Sequence, residues 1–411
     1  MAVTIDEAME LIYKNISAVS IETINIENSS GRILAQNVTS THNLPPYDNS
    51  AMDGFAVKKG DEGECVKVTN TILAGDKSDF LLSSGEAIRI MTGAKIPTGT
   101  EVIVPIEDTT TCSTCSDGIV LPKLLKEGNH IRLCGEDVQS NETILNFSES
   151  LNAYKIALLA SQGITHIQVY KKPRVALIAT GSEIKMHFET IDEYELYNTN
   201  AIALQARCSE LNCETILLHS VEDNLENIKE LIASTLDCDL VITSGGISVG
   251  DADYTKEAFE AYEYENIFEH IKIKPGKPTT FGKIGKSFIL NLPGNPLACM
   301  MNFELFGQSM ILALSGVQEK YINTIEATLS QNIKIKKGRD TLVPGYFDGT
   351  SFKASTKFAP GMVSPLAHAN SYTVIDESCD GVEANQKIKV IPTTHQITSK
   401  SKIDFKNRCW N

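Results

Sequence analysis

The chain has 411 residues, of which 42% are hydrophobic and 22% charged, and its formal net charge is −15 at pH 7. Because one hydrophobic core usually stops growing near about 250 residues, this length predicts a folded protein of several domains. The acidic charge excludes a broad nucleic-acid interface, and an acidic N-terminus without an apolar run of about 18 residues leads us to expect a cytoplasmic protein that does not span a membrane.

The first part of the chain alternates between helical and β patterns. Residues 4–19 carry apolar side chains at helical spacing, and Thr4 followed by Glu7 forms a capping-box pattern at the start of this predicted helix. Residues 34–132 change to short β runs separated by Gly, Pro and Asp, which predicts a small β domain. Helical periodicity returns over residues 151–163 and closes on a glycine in the C′ position. These patterns indicate one helical region interrupted by an inserted β domain.

Ten cysteines are scattered through the chain, and without an export signal we expect them to be reduced thiols. Cys112 and Cys115 are the one close pair in the sequence. A zinc site normally needs two more ligands at matching spacing, and none stands out nearby. A surface hairpin tip is therefore the favoured interpretation of this pair, with metal binding as the alternative.

Residues 174–314 alternate near-continuous apolar strands with helices, which predicts a doubly wound, mainly parallel α/β sheet. Ligands of such sheets bind outside the carboxyl ends of the strands. Beyond about residue 321 the pattern is β-rich again, which predicts a C-terminal barrel or sandwich. The loops that follow the parallel strands are therefore the places to look for chemistry.

One such loop reads Ser244-Gly245-Gly246-Ile-Ser248-Val-Gly250-Asp251-Ala-Asp253. Its glycines allow sharp turns that present amides to an anion, and its serines add hydroxyl donors, although a simple tight turn is the alternative. It is not a Walker A loop, because the Gly-Lys-Ser/Thr ending is missing. Acids beside a bound phosphate need a bridging cation, so Asp251 and Asp253 favour Mg²⁺. Capping of the next helix by Asp253 is compatible both with this interpretation and with a simple turn.

Two further loops concentrate features suited to anions. Lys274 and Lys277 lie in a segment held by prolines and by Gly276, which favours anion binding over a charged surface turn. After the strand SFILNL, Asn295 and Pro296 signal a helix start whose free amides would form a second anion site, although such a start is also sufficient as a purely structural feature. The loops after the first two strands of this region add Glu183 and Asp223, so we expect the loops of one sheet edge to converge on one site.

The order of the segments LPPYDNSAMDGFAV, IRIMTGA, SGGISVGDADY, KPGKP and LPGNP resembles that of the MoeA family of molybdopterin molybdenumtransferases and of the E domain of gephyrin. The likeness covers essentially the whole chain. It implies a multidomain α/β plus β fold: a discontinuous helical N-terminal domain at 1–40 and 138–170, an inserted β domain at 41–137, a molybdopterin-binding-like α/β domain at 171–319 and a C-terminal β-barrel at 320–411.

The resemblance also implies a transferase acting in the last step of molybdenum cofactor biosynthesis. Adenylylated molybdopterin and molybdate are the implied substrates, AMP is released, and Mg²⁺ is the implied cofactor. The implied assembly is a homodimer whose active sites are shared between subunits, with transient partners from the same biosynthesis. A molybdopterin adenylyltransferase and a non-catalytic gephyrin-E-like scaffold are the two alternatives.

Local chemistry and resemblance together assign roles to numbered residues. The catalytic set is Asp53, Thr92, Glu183, Asp223 and Asp253. The metal-binding set is Glu183, Asp223, Asp251 and Asp253. The substrate-binding set is Arg132, Asp137, Ser244, Gly245, Gly246, Ser248, Gly250, Lys274, Gly276, Lys277, Pro293, Gly294, Asn295 and Pro296.

Three positions depart from the family pattern. His270 replaces a common lysine, which makes one phosphate contact weaker or pH-dependent. Ser182 stands where an acid is common, and Pro344 stands where an arginine is common. Arg339 is kept in the same segment, and the sequence leaves open whether the C-terminal domain contributes to the site.

Overall fold

Four groups of secondary structure follow one another along the chain in the computed structural model. It describes residues 2–77, 79–113, 115–179, 181, 183–218, 225–245 and 254–393, and of residues 254–256 it describes the backbone only. The predicted sites at Asp223, Gly246, Ser248, Gly250, Asp251 and Asp253, and the departure at Ser182, lie outside the described residues.

The N-terminal helix, Ile5–Asn15, begins with the predicted capping box. The Glu7 amide donates to Thr4 Oγ1 at 3.2 Å, and the Thr4 amide donates to Glu7 Oε2 at 2.8 Å. Its buried face, with Ala8 and Ile12, joins the core beneath the α/β sheet. This helix therefore packs on a part of the chain that lies almost 300 residues further along.

A separate small core joins segments from both sides of the inserted sheet. Its helix is Ala153–Ser161, and its strands are Ile21–Asn25, Val38–Thr39, Thr143–Leu145 and His166–Tyr170. Ile21–Asn25 pairs antiparallel with His166–Tyr170, and Val38–Thr39 pairs antiparallel with Thr143–Leu145. Leu34 and Leu159 are fully buried between these elements. The chain thus leaves this core, builds the inserted sheet and returns.

The inserted sheet has six strands. In spatial order they are Val102–Pro105, Gly54–Val57, Glu86–Ile90, Cys65–Ile72, Gly118–Val120 and Thr110–Thr111. A two-stranded ribbon of Asn49–Ser50 and Ile131–Arg132 lies beside it, and the short 3₁₀ helix Ile106–Asp108 follows the first edge strand. Hydrophobic side chains are buried on both faces of this sheet.

The expectation that all cysteines are reduced is wrong at one point of this sheet. Cys65 and Cys112 form a disulfide with a Cα–Cα distance of 5.9 Å. Strand pairing is the physical reason. The strand Gly118–Val120 lies between the two cysteines: its Val120 pairs with Cys65, and its Ile119 pairs with Thr111, the neighbour of Cys112. Two cysteines that are 47 residues apart in sequence are thereby brought together. Cys115, the other member of the close pair, is free and exposed.

The α/β sheet also has six strands. Their order is Glu214–Leu218, Arg174–Ala179, Leu240–Ser244, Ser287–Leu292, Thr280–Ile284 and Glu265–Glu269. The first four are parallel and the last two are antiparallel to their neighbours. The predicted mainly parallel sheet is confirmed, and the chain order changes direction around the central strands.

Helices cover both faces of this sheet, as expected for a doubly wound fold. They are Thr199–Glu210, Leu225–Thr235, Tyr254–Glu260, Pro296–Asn302 and Gln308–Leu314, the last two joined by a π-helical segment, Phe303–Gly307. In strand Arg174–Ala179, Val175 and Leu177 pack into one core, whereas Ala176 and Ile178 pack into the opposite one. The strand is therefore buried on both faces, and because the four neighbouring strands are parallel, their carboxyl ends lie at a common edge.

The C-terminal region forms a closed barrel of five strands. In ring order they are Asp340–Phe347, Ser351–Ala354, Ile325–Leu329, Lys387–Pro392 and Ser371–Ile375, which pairs back to the first. A small ribbon of Ile333–Lys334 and Gly381–Val382 and a short helix, Ser364–Ala367, complete it. Ile273–Lys274 extends the barrel through a parallel pairing with Asp340–Thr341, and so ties the lysine segment to it.

The joined helix Pro296–Leu314 is the one segment, among the described residues, that is long and apolar enough to cross a membrane. The share of it that is buried inside the protein is 89%. Its apolar side chains therefore serve the core beneath the α/β sheet.

Candidate functional site

A cavity of about 930 Å³ opens at the carboxyl ends of three parallel strands. Gly181 and Glu183 follow the first of these strands, Ser244 and Gly245 end the second, and the segment Pro293–Pro296 follows the third. Lys277 and His270 line the cavity from the lysine segment. The cavity lies where ligands of open α/β sheets bind, and its volume is at the upper end of the range for small-molecule sites.

The two glycine loops of the cavity approach each other closely. Gly245 has a φ of +98°, and its amide donates to the Leu292 carbonyl at 3.3 Å. A Cβ placed on Gly294 would lie 3.4 Å from the Gly245 Cα. The positive φ favours glycine at position 245, and at position 294 an added Cβ would reach ordinary van der Waals contact with the other loop where both backbones border the cavity.

Asn200, which no motif in the sequence singles out, bridges these two loops. Its Nδ2 donates at 2.7 Å both to Ser244 Oγ and to the Gly294 carbonyl. Its Oδ1 is buried and has no hydrogen-bond partner among the described residues. The asparagine-rich helix start at residues 198–200 was the available signal, since Asn198 caps this helix by accepting from the Ala201 amide at 3.0 Å.

The predicted helix start at Asn295 and Pro296 is confirmed, but the expected free amides are not. The Leu297 and Ala298 amides donate to the Pro360 carbonyl of the C-terminal region at 2.9 and 3.3 Å. The sequence could not show this partner, because it lies more than 60 residues further along the chain. The hypothesis of a second anion site on free amides at this terminus is therefore wrong, although Pro293, Gly294, Asn295 and Pro296 all line the cavity.

The lysine segment is held against the helix by Asn302, a fully buried residue. Asn302 Nδ2 donates to the Pro275 carbonyl at 3.0 Å and to the Ala298 carbonyl at 2.7 Å, and Thr279 Oγ1 donates to its Oδ1 at 3.2 Å. Gly276 has a φ of +117° and leaves no room for a Cβ beside Asn302. The turn therefore places Lys277 at the cavity, while Lys274 lies half-buried in the pairing with the barrel.

Replacing Asn302 with alanine is expected to lower the midpoint of thermal unfolding. The change removes three side-chain hydrogen bonds and takes the side-chain donor away from the buried Pro275 carbonyl, at a cost of about 1–3 kcal/mol. Scanning fluorimetry of the full chain measures the shift. Asn323→Ala, at an exposed position, is the matched control and should leave the midpoint in place. An unchanged midpoint for Asn302→Ala would show that the turn does not depend on this side chain.

Asp53 and Thr92 form a second polar group, on the inserted domain. The Thr92 amide and hydroxyl donate to Asp53 Oδ1 at 2.7 and 2.8 Å. These bonds, the amide first, lower the pKa of the exposed Asp53 carboxyl below its ordinary value. Neither residue lines the cavity of its own chain, whose described lining runs from residue 179 to residue 363.

Arg132 and Asp137 lie on the segment next to this group. Arg132 is exposed and pairs with Asn49 in the ribbon that precedes Asp53. Asp137 is also exposed, and its amide donates to the Leu44 carbonyl at 3.0 Å. The structure thus places most of the predicted residues that it describes either at the α/β cavity or exposed on the inserted domain, whereas Lys274 and Gly276 lie outside the described lining of the cavity.

Three family models match consecutive parts of the chain. Residues 3–163 match the MoeA N-terminal region (domain I and II), residues 176–313 match a probable molybdopterin binding domain, and residues 326–393 match the MoeA C-terminal region (domain IV). The matches follow the groups of secondary structure described above.

Relatives resemble the chain over nearly its full length. A molybdopterin molybdenumtransferase of Haemophilus influenzae is 32% identical over 410 residues, which cover 96% of this chain and 99% of the relative. One from Staphylococcus aureus (strain COL) is 30% identical, covering 95% and 96%. The crystal structure of the molybdopterin biosynthesis MoeA protein from Pyrococcus horikoshii OT3 superposes with a TM-score of 0.83 at 25% identity, covering 95% of this chain and 100% of that one.

Proposed function

This chain belongs to the MoeA family of molybdopterin molybdenumtransferases, and we propose that it inserts molybdenum from molybdate into adenylylated molybdopterin with release of AMP. The reaction is the last step of molybdenum cofactor biosynthesis. The observation that carries this proposal is the cavity at the carboxyl ends of three parallel strands, inside the region that matches the molybdopterin binding domain. Matches to the N-terminal and C-terminal regions of the family do not favour an adenylyltransferase, which would need only the α/β module.

The lining of the cavity suits a phosphorylated substrate. Lys277 is the one lysine or arginine among the described lining residues, and it supplies charge to a phosphate. The close approach of Gly245 and Gly294 leaves backbone accessible to the ligand, and Asn200 holds both loops in place. In hydrolysis of the phosphoanhydride, these groups orient the phosphates while water adds to phosphorus and AMP leaves.

The carboxylates of the site suit a hard cation. Glu183 is the described carboxylate at the cavity, and oxygen ligands of this kind are those that Mg²⁺ binds. Glu183 would hold the ion together with Asp223, Asp251 and Asp253, which are assigned from the sequence. Bound Mg²⁺ supplies positive charge that offsets the phosphates of the substrate. Molybdate itself is a substrate and not a resident cofactor.

We further propose that the protein is a homodimer in which each active site contains residues of both subunits, and the exposed position of Asp53 supports this arrangement. Asp53 is fixed by Thr92, lies outside the cavity of its own chain and keeps an ionised carboxylate. Arg132 and Asp137 would accompany it toward the cavity of the partner subunit. We place the enzyme in the cytoplasm, with transient partners from the same biosynthesis.

A single-turnover assay tests the proposed reaction. Purified protein is mixed with adenylylated molybdopterin, and AMP is quantified before and after molybdate is added. We expect AMP release that depends on molybdate. Consumption of ATP in the presence of molybdopterin would instead identify an adenylyltransferase, and dimers that release no AMP would identify a scaffold.

Lys277→Ala is expected to weaken AMP binding by about 10- to 150-fold, because a hydrogen bond to a charged group contributes about 1.5–3 kcal/mol. Lys274→Ala should weaken it less, since Lys274 does not line the described cavity. Isothermal titration calorimetry with AMP measures both affinities. Lys286→Ala removes an exposed lysine from the hairpin turn at the opposite edge of the same sheet and is the matched control. Equal affinities for all three variants would remove the lysine segment from the site.

A further inference from the structure

Three cysteine sulfurs converge at the edge of the inserted sheet, away from the cavity. Cys65 begins the strand Cys65–Ile72, and Cys112 and Cys115 lie in the hairpin between the two strands that follow it in the sheet. The three sulfur atoms all lie within 4.8 Å of one another. Cys112 is buried, Cys65 is half-buried and Cys115 is exposed. Cys65 therefore supplies a third sulfur next to Cys112 and Cys115. It is far from them in sequence and is brought to them by strand pairing.

Gly118 closes the turn that holds these cysteines. The Cys112 amide donates to the Gly118 carbonyl at 3.0 Å. A Cβ added to Gly118 would lie 2.8 Å from Cys115 Cβ and 3.0 Å from both Cys112 Cβ and Cys65 Sγ. All three cysteine side chains thus pack against the bare Cα of Gly118, and any side chain at this position would push them apart.

We propose that the reduced Cys65, Cys112 and Cys115 bind one thiophilic divalent cation of the zinc class. Cysteines separated by two residues are typical zinc ligands, and tetrahedral geometry with Zn–S bonds of about 2.3 Å places sulfurs about 3.8 Å apart. The sulfur of Cys115 lies within 4.8 Å of the two sulfurs that are bonded to each other in the structure, so reduction of that bond and small side-chain rotations would bring all three to this spacing. The exposure of Cys115 leaves the fourth position to a water molecule.

The Cys65–Cys112 disulfide is the oxidised, metal-free form of this site. A cellular dithiol reductant converts it: two electrons and two protons break the S–S bond into two thiols, and the reductant becomes a disulfide. Metal binding then displaces one proton from each of the three thiols, because the thiolate is the ligand. Loss of two electrons to a disulfide oxidant reverses the change and releases the cation. The bound cation would join the hairpin between Thr110–Thr111 and Gly118–Val120 to the interior strand Cys65–Ile72.

Metal titration of the full-length protein tests this site. The protein is reduced with a phosphine under anaerobic conditions, desalted and titrated with Co²⁺ and then Zn²⁺, with a chromophoric chelator as competitor. We expect one cation per chain, visible absorption bands typical of tetrahedral Co²⁺–thiolate coordination, and displacement of Co²⁺ by Zn²⁺. Each single change, C65S, C112S or C115S, should weaken Zn²⁺ binding at least tenfold, and the triple change should abolish it.

The control is C134S, which removes an exposed free cysteine outside the cluster and should retain full binding. Circular dichroism checks that each variant is folded, and oxidation of the wild-type complex by a disulfide should release the cation as two thiols disappear. Binding that survives the triple change would overturn the proposal. So would a reduced wild-type protein that re-forms its disulfide readily but takes up no more cation than the triple variant does.

Discussion

Replacement of Asp53 by alanine is expected to lower single-turnover AMP release by about 10²- to 10⁴-fold, the range associated with a positioned acid–base group. The proposed shared site gives this exposed carboxylate a role, and its hydrogen bonds from Thr92 fix its position. The same bonds lower the pKa of the Asp53 carboxyl below its ordinary value of 3.8, so this carboxyl is ionised at any pH above 3.8. Its contribution should therefore be constant across neutral pH and should be lost only as the pH falls through that lowered pKa. Quenched-flow measurement of AMP gives the rate.

Two further variants separate charge from structure. Asp53→Asn can still accept the hydrogen bonds from Thr92 but carries no charge, so it should lose nearly as much activity as the alanine variant. Asp108→Ala removes another exposed carboxylate from the same domain and should keep close to wild-type activity. A fully active Asp53→Asn variant would assign Asp53 a structural role only.

Much of the fold follows from local patterns in the sequence. The capping box at Thr4 and Glu7, the helix start at Pro296 and the parallel strands of the α/β region are each set by neighbouring residues, and all are present. The cavity also lies where the strand ends predicted it. These features could be predicted from the sequence because the spacing of residues along the chain determines them.

Features that depend on contacts between distant segments of the chain could not be predicted from the sequence. Cys65 reaches Cys112 only through strand pairing, and the Leu297 amide is satisfied by Pro360, which belongs to another region. Asn200 acts within the first turn of a helix, where its sequence context marks it only as part of a cap. In each case the partner is chosen by tertiary packing, about which local propensity carries no information.

Mixed dimers of two inactive variants are expected to recover about a quarter of wild-type activity. One parent carries Asp53→Ala, and the other carries Glu183→Ala with Lys277→Ala, both at the cavity. If each site combines the cavity of one subunit with Asp53 of its partner, a mixed dimer has one site with every defect and one intact site. Random exchange at equal concentrations makes half of the dimers mixed, and half of their sites work. Single-turnover AMP release, compared with each parent alone, measures the recovery.

The controls establish that subunits exchange and that neither variant harms its partner. Parents with different affinity tags should copurify after mixing, and mixing either parent with wild-type protein should leave about half of the activity whichever arrangement is correct. If Asp53 instead served the cavity of its own subunit, every site in the mixed dimer would carry a defect. Recovery would then be absent despite proven exchange, and the shared site would have to be abandoned. Recovery near one quarter, by contrast, requires that the intact Asp53 of one subunit act on the intact cavity of the other, because no single chain in the mixture contains both.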